Sequence, residues 1–140
     1  MNAAFHYLIM AEHAMLQKGL LIRLKGTGLT LGQPKVLDYL KEHNGASQKE
    51  IAKGCHIEAG SLTSILNRME DKGIVERRML NANRRSSYIF LTEKGIELLH
   101  LVTESFNALE EKAFLNIPDT QRENFMQTLN QIYANLQEDL

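Results

Sequence analysis

The sequence predicts a mainly α-helical fold that carries one small β-hairpin. Two short helical patterns joined by a tight turn lie between Ser47 and Lys72, and a hairpin pattern follows them up to Leu91. Longer helical patterns occupy both ends of the 140-residue chain. This order predicts a single domain over 1–140, in which a winged helix-turn-helix at 30–92 is flanked by helical regions at 1–28 and 93–140.

A long first helix is predicted from Ala4 to Lys25, because apolar residues recur there at mostly helical spacing. These residues are Phe5, Leu8, Ile9, Met15, Leu16, Leu20 and Leu24. The sequence Gly26-Thr27-Gly28 then ends the pattern.

The second helix has two candidate starting points. Thr30 to Gln33 resembles a capping box, in which the first and fourth residues satisfy each other's free amide groups. Pro34 also suits the first position of a helix, so the start stays open by a few residues. Asn44-Gly45 ends the helix. Its buried face consists of Val36, Leu37 and Leu40.

A cleaner capping box, Ser47-Gln48-Lys49-Glu50, opens the third helix. Gly54-Cys55-His56 is predicted to form the turn, and a fourth helix runs from about Ala59 to Lys72 before Gly73 ends it. The inward stripe of this fourth helix consists of Leu62, Ile65, Leu66 and Met69.

Two runs rich in β-branched and aromatic residues, Ile74 to Leu80 and Ser87 to Leu91, predict a hairpin around a polar loop. Thr92 is placed to cap the fifth helix, which continues until Pro118 breaks it, and a sixth helix follows. The apolar positions of these two helices are Ile96, Leu99, Val102, Phe106, Leu109 and Ala113, and then Phe125, Leu129, Ile132, Leu136 and Leu140.

Composition excludes several classes of protein. No run of roughly 18 apolar residues could span a membrane, and no secretion signal opens the chain, so we expect a cytoplasmic protein. The five histidines are scattered and the single cysteine forms no CxxC motif, so we expect neither metal nor cofactor. The sequence shows no nucleophile with a base, no paired carboxylates and no phosphate-binding glycine loop, so we expect no enzymatic activity.

The net charge of −1 hides an asymmetry along the chain. Residues 59–94 hold seven basic and four acidic side chains, whereas residues 95–140 hold two basic and eight acidic ones. The middle of the chain can therefore meet phosphate, while the acidic C-terminal part would be repelled by it.

The fourth helix has the side chains of a recognition helix. Donor and acceptor residues that suit base edges and phosphates fall outside its apolar stripe, although a solvated helix face would look similar. Gly60 in its first turn would let the backbone approach a phosphate closely. The candidate DNA-contacting residues are Ser47, Gln48, Lys49, Ser61, Thr63, Ser64, Asn67, Arg68, Asn83, Arg84 and Arg85.

The hairpin adds four arginines within nine residues: Arg77, Arg78, Arg84 and Arg85. Long cationic side chains on a protruding loop suit the narrow, electronegative minor groove. Edge strands also carry charge to discourage aggregation, so Arg77 and Arg78 have two equal explanations. For Arg84 and Arg85 at the tip, DNA contact is favoured.

Several segments occur in an order and spacing that belong together. They are Leu29-Thr30-Leu31-Gly32-Gln33 with Val36-Leu37, Gln48-Lys49-Glu50-Ile51-Ala52, Leu62-Thr63, Arg68 to Arg77, and Asn83-Arg84-Arg85 leading to Leu91-Thr92. With these segments the chain resembles the MarR family of bacterial winged-helix regulators. The resemblance implies a homodimer joined through the first and last two helices, which makes 1–28 and 93–140 the dimerisation region.

The resemblance also implies how DNA is held. Each subunit would place one helix in a major groove and one wing in a minor groove of a pseudo-palindromic operator in double-stranded DNA. Arg85 matches the wing-tip arginine, and Arg84 matches a neighbouring position that is often basic. Asn83 replaces a more usual aspartate, so it offers that arginine only a neutral hydrogen bond. Glu58 stands where the family often has serine, and it suits the helix dipole but would repel phosphate.

We therefore expect a dimeric, sequence-specific transcriptional regulator, a repressor whose operator binding is modulated by a small aromatic or lipophilic effector. One alternative is a winged-helix protein-interaction module. Another is a thiol-based redox sensor that acts through Cys55. Relatives with a peroxide-reactive cysteine generally place it in the first helix, where this chain has none, so we favour a packing role for Cys55.

Overall fold

The computed structural model of the chain describes residues 3–79 and 86–138. The elements are α1 (Phe5–Arg23), α2 (Gln33–His43), α3 (Gln48–Cys55), α4 (Ala59–Asp71), β1 (Val75–Arg78), β2 (Tyr88–Leu91), α5 (Glu93–Ala113) and α6 (Asp119–Glu138). This order confirms the predicted mainly helical fold with one hairpin. The chain divides into two compact units, residues 1–107 and 108–140.

The core of the first unit lies where α2, α3, α4 and the hairpin meet. Burying one large aliphatic side chain contributes roughly 1.5–3 kcal/mol, so this cluster supplies much of the stability of the unit. The completely buried apolar side chains are Val36, Leu37, Leu40, Ile51, Leu62, Leu66, Met69, Ile89 and Val102.

Local hydrogen bonds set the start of α3 as the sequence predicts. The Ser47 hydroxyl oxygen accepts from the Glu50 amide at 3.1 Å, and the Glu50 side chain accepts from the Ser47 amide at 3.5 Å. Thr92 opens α5 in a related way, because its hydroxyl oxygen accepts from the Gly95 amide at 3.0 Å. These contacts satisfy amides that a helix leaves free at its N-terminus.

The predicted capping box at Thr30 is wrong. The N-cap of α2 is Gly32, in a left-handed conformation with φ of 89° and no side-chain cap. Only half of the reciprocal pair forms, since the Gln33 side-chain oxygen accepts from the Thr30 amide at 3.1 Å. Position 32 favours glycine because its φ of 89° lies in the left-handed region, and an added Cβ there would also lie 2.6 Å from the end of the Ile65 side chain.

The turn between α3 and α4 also differs from the prediction. Cys55 is the last residue of α3, and Gly54 precedes it inside the helix. The reversal begins at His56, which is left-handed with φ of 54°. The Ile57 amide then donates to the Ala52 carbonyl oxygen at 3.0 Å, which satisfies one of the free carbonyls at the helix end.

The hairpin is antiparallel, with Val75 opposite Leu91 and Arg78 opposite Tyr88. It gains a third, short partner from the loop before α3, because Ser47 forms a bridge with Tyr88. The Ile89 amide donates to the Ala46 carbonyl oxygen at 2.9 Å, and the Gly45 amide donates to the Ile89 carbonyl oxygen at 2.8 Å. The wing is therefore hydrogen-bonded to the start of the helix-turn-helix.

Most of α1 lies uncovered within this single chain. Only Leu20 is buried among its helical residues. Large apolar side chains on α1 that are exposed by more than 40% are Phe5, Tyr7, Leu8, Ile9, Met10, Met15, Leu16 and Ile22. Among the described residues, no helix is both long and apolar enough to cross a membrane.

The second unit contains the end of α5 and all of α6. Phe114 and Phe125 pack edge to face with their ring centroids 6.0 Å apart, and the Arg122 guanidinium lies 4.2 Å from the Phe114 centroid. These contacts join the two sides of the chain reversal. The reversal begins before Pro118, because α5 ends at Ala113 and Asn116 is left-handed with φ of 64°. Pro118 lies at the start of α6, where its carbonyl oxygen accepts from the Arg122 amide at 2.9 Å.

Candidate nucleic-acid interface

The helix α4 has one apolar face and one polar face. Leu62, Leu66 and Met69 are completely buried, and α4 contacts α2, α3 and β1. The polar residues that the sequence singles out on α4 are all exposed, namely Ser61, Thr63, Ser64, Asn67 and Arg68. The polar face is thus left open by the fold while the apolar stripe anchors the helix.

The N-terminal turn of α4 is open and lacks a side-chain cap. Glu58 occupies the N-cap position without a capping hydrogen bond. A Cβ added to Gly60 would meet nothing within 4 Å, so the space beside the first turn is empty. Free amides and the positive end of the helix dipole therefore face an unobstructed surface, which is the arrangement that anions favour.

Two of the candidate residues bind each other across the helix-turn-helix. The Gln48 side-chain amide donates to the Thr63 hydroxyl oxygen at 2.7 Å, and that hydroxyl donates to the Ala59 carbonyl oxygen at 3.0 Å. This pair joins the first turn of α3 to α4. It also uses the one proton of the Thr63 hydroxyl, which leaves that group only as an acceptor. Lys49 beside it is exposed.

A third candidate, Asn67, is bonded to the wing. The Arg77 guanidinium Nη1 donates to the Asn67 Oδ1 at 2.6 Å and lies 3.1 Å from the Glu70 carboxylate oxygen. Arg77 keeps only 21% of its side chain exposed. Sequence reasoning missed this contact, although the signal was present as two acceptors three residues apart on α4 followed by a strand arginine.

Arg78, on the same strand, contacts other residues of the hairpin. Its Nε donates to the Glu76 carboxylate at 2.9 Å, and its guanidinium lies 4.2 Å from the Phe90 ring centroid. Both contacts are of the kind that stabilise charged strand residues at a surface. The remaining candidates, Asn83, Arg84 and Arg85, lie outside the described residues.

Cys55 is a packed residue at the end of α3. Its side chain is 2% exposed, and its thiol lies 3.7 Å from the Lys35 carbonyl oxygen. Burial raises the pKa of the Cys55 thiol, the Asp38 carboxylate adds to the rise, and the Lys35 ammonium opposes it. A raised pKa lowers the fraction of reactive thiolate, so this environment weighs against redox sensing.

The described part of the chain holds no group of three or more histidine, cysteine, aspartate or glutamate side chains that could bind a metal ion.

The exposed candidate residues of α4 have hydroxyl and amide groups and, on Arg68, one guanidinium. Such groups can pair with base edges and phosphate oxygens.

Residues 29–87 match the model of the MarR family. This segment covers the helix-turn-helix and most of the hairpin. Over this segment the chain is similar to the MarR family. The fold of nearly the whole chain agrees with that of a MarR transcriptional regulator from Methanosarcina mazei Go1. The two are 24% identical, with a TM-score of 0.90 over 96% of this chain and 97% of that one.

Two sequence relatives are named as transcriptional regulators. The chain is 42% identical over 67 residues to the HTH-type transcriptional regulator TtmR of Methylorubrum extorquens, which is 48% of this chain and 34% of TtmR. It is 34% identical over 67 residues to the organic hydroperoxide resistance transcriptional regulator of Bacillus subtilis, which is 48% of this chain and 46% of that protein. The matches therefore span less than half the length of either relative.

Three solved structures match most of the chain. The transcriptional regulator PA3341 is 26% identical with a TM-score of 0.86, and the alignment covers 96% of this chain and 99% of that one. MepR of S. aureus, solved in complex with DNA, is 23% identical with a TM-score of 0.88 over 96% and 99% of the two chains. CouR of Rhodococcus jostii RHA1, bound to p-coumaroyl-CoA, is 24% identical with a TM-score of 0.80 over 92% and 91%.

Proposed function

We propose that this protein is a transcriptional regulator that binds double-stranded DNA with sequence specificity. The observation that carries the proposal is the exposed polar face of α4, which a buried apolar stripe presents on a winged helix-turn-helix. The MarR family match supports it, as does the DNA complex of the structural neighbour MepR. The basic stretch at 59–94 supplies the positive charge that phosphate binding needs.

The exposed residues would contact different parts of the DNA. Ser61 and Ser64 suit base edges, because hydroxyl groups both donate and accept. Arg68 and Lys49 suit guanine or phosphate oxygens. Asn83, Arg84 and Arg85 at the wing tip would enter the adjacent minor groove, with Arg85 as the principal contact.

We also propose a homodimer. The exposed apolar side chains of α1 form a surface that a monomer would leave in water, and such surfaces mark interaction sites. Two copies related by a twofold axis would place two α4 helices about 34–36 Å apart, which matches successive major grooves of a pseudo-palindromic operator.

Regulation by a small aromatic or lipophilic effector is a further part of the proposal. An open groove of about 440 Å³ beside α1 is lined mainly by apolar surface. The lining residues are Ala14, Gln17, Lys18, Leu21, Ile22, Lys25 and Leu31. An effector that binds better to a dimer with a different α4 spacing would lower operator occupancy and release a repressed promoter. The neighbour CouR, which shares the fold, is bound to p-coumaroyl-CoA, and this supports a small-molecule ligand for the chain.

Selection of bound duplexes from random DNA tests the proposal. We expect recovery of a pseudo-palindromic site, bound by two copies and released at raised salt. Competition with aromatic acids and their thioesters then tests the effector. Recovery of no palindromic site would contradict the proposed function and favour a protein-interaction module, for which an apolar recognition face would be expected instead.

A further inference from the structure

We propose that Arg77 is a positioning residue that clamps the wing to the recognition helix, and that Asn67 acts through this clamp instead of reading a base. The proposal rests on DNA binding as the function of the chain. It assigns to this contact a share in fixing the angle between α4 and the hairpin, beside the backbone hydrogen bonds that join Ile89 to Gly45 and Ala46. That angle decides whether the helix and the wing can enter adjacent grooves together.

The geometry of the contact is that of a bridge between two elements. One nitrogen, Nη1 of Arg77 on β1, lies 2.6 Å from Asn67 Oδ1 and 3.1 Å from a Glu70 oxygen. Asn67 and Glu70 are three residues apart on α4 and therefore neighbours on one helix face. A planar guanidinium held by two acceptors resists rotation more than a single flexible cation would.

Burial makes this bridge different from an ordinary surface pair. The Arg77 side chain is 21% exposed, whereas Arg78 and its partner Glu76 are 54% and 48% exposed. Surface ion pairs contribute little, but a partly shielded guanidinium with two acceptors gains more from each of them. Within the part of the chain that the structure describes, Arg78 contacts Glu76 and Phe90 of the hairpin, so it does not join the hairpin to α4.

The bridge also limits what Asn67 can do. An asparagine that reads adenine needs its oxygen for the N6 amino group and its nitrogen for N7. Here the oxygen already accepts a short hydrogen bond from a charged donor. Bidentate contact with adenine would have to compete with that bond. We therefore assign Asn67 to holding Arg77 and not to contacting a base.

A double-mutant cycle on the selected duplex tests the proposal. Asn67→Ala and Arg77→Gln should each weaken binding by about tenfold, and the double variant should be no weaker than the worse single variant. Asn67→Asp keeps an oxygen acceptor for Arg77, so its binding should stay within about threefold of the wild type. If Asn67 instead reads a base, Asn67→Ala and Asn67→Asp both lose the side-chain amide that donates to the base. The two variants should then bind DNA equally poorly.

Arg78→Gln is the matched control, because it removes the same charge from the same strand. Its loss should stay below about threefold, and the salt dependence of binding should be the same for Arg77→Gln and the wild type. Additive losses in the cycle, equal losses for Asn67→Ala and Asn67→Asp, or a salt slope reduced by about one in Arg77→Gln would each overturn the clamp.

Hydrogen exchange without DNA separates this proposal from the proposed function. In Arg77→Gln the amides of residues 75–78 should exchange about tenfold faster than in Arg78→Gln. If no duplex is selected but this difference appears, the function fails and the clamp stands. If the exchange rates of the two variants are equal, the clamp is wrong whatever the chain binds.

Discussion

The surroundings of Cys55 decide the chemistry of its thiol. The side chain is 2% exposed and its thiol faces the Lys35 carbonyl oxygen, so burial raises the thiol pKa. The neutral thiol is therefore favoured in the folded chain. The stability that the neutral Cys55 thiol contributes is complete below the pKa that this thiol has in the unfolded chain. It is lost as the pH rises through the higher pKa of the thiol in the folded chain.

We predict that Cys55 reacts slowly with alkylating reagents at neutral pH. The native chain should react with iodoacetamide at least about tenfold more slowly than the urea-unfolded chain, because access and thiolate fraction are both reduced. Mass spectrometry over time measures both rates. Equal rates in the two states would restore redox sensing through Cys55 as a candidate function.

Arg85 carries the strongest single-residue prediction for DNA binding. Arg85→Ala should weaken binding to the selected duplex by about 1–3 kcal/mol and leave the oligomeric state unchanged. Fluorescence anisotropy at several salt concentrations measures the loss. Arg23→Ala, which removes the same charge from the last turn of α1, is the control. Unchanged affinity across the salt range would remove the wing tip from the proposed interface.

At the scale of elements, two glycines inside helices have opposite surroundings. A Cβ added to Gly54 in α3 would lie 2.2 Å from Tyr39 Cε1, whereas a Cβ added to Gly60 in α4 would meet nothing within 4 Å. Glycine therefore serves packing between α2 and α3 at position 54. At position 60 it lowers helix propensity without any packing gain inside the chain.

We predict opposite effects of alanine at these two positions. Gly60→Ala should stabilise the fold by up to about 0.5–1 kcal/mol yet weaken DNA binding, because the added methyl occupies space that a phosphate would approach. Gly54→Ala should destabilise the fold by about 1–3 kcal/mol, because the Tyr39 ring must move. Urea unfolding and duplex titration measure the two effects. If Gly60→Ala binds DNA as tightly as the wild type, close backbone approach there is wrong.

At the scale of the whole molecule, apolar exposure indicates a partner. In α6 the side chains of Phe125, Tyr133 and Leu136 are 50%, 50% and 61% exposed. Exposed apolar side chains of this kind mark interaction sites, and we propose that α6 pairs with a second copy of the chain.

We predict that a chain trimmed after Pro118 no longer dimerises. Sedimentation velocity measures the change, and circular dichroism shows whether the trimmed chain folds. Leu136→Asp tests the same interface in the untrimmed chain, since an exposed side chain can change without disturbing the subunit's own core. Asn130→Asp, which adds the same charge at another exposed position of α6, is the control. A folded, dimeric trimmed chain, or a dimer as tight in Leu136→Asp as in the wild type, would contradict the assigned interface.

Local chemistry made much of the fold predictable. The Ser47 capping box spans the four residues from Ser47 to Glu50, and Gly73 ends α4 with a positive φ of 73°. Thr92 caps α5 in the same local way. Each of these contacts joins atoms within one helical turn, so the sequence contains all the information that they need.

Contacts between distant residues were not predictable in the same way. Gln48 and Thr63 are 15 residues apart, Arg77 and Asn67 are 10 apart, and the Ser47 bridge reaches Tyr88. Whether these side chains meet depends on how α3, α4 and the hairpin pack. The local pattern at Thr30 does not form its capping box either, because α2 begins after the left-handed Gly32.

The sequence by itself therefore determined the order of the helices, the hairpin, the polar face of α4 and the resemblance to the MarR family. Only the tertiary structure decided which polar residues of that face already have partners inside the protein. Periodicity shows which side of a helix is buried, since burial follows a repeat of 3.6 residues. It cannot show which exposed groups are bonded, because a hydrogen bond depends on atomic positions that packing between elements sets.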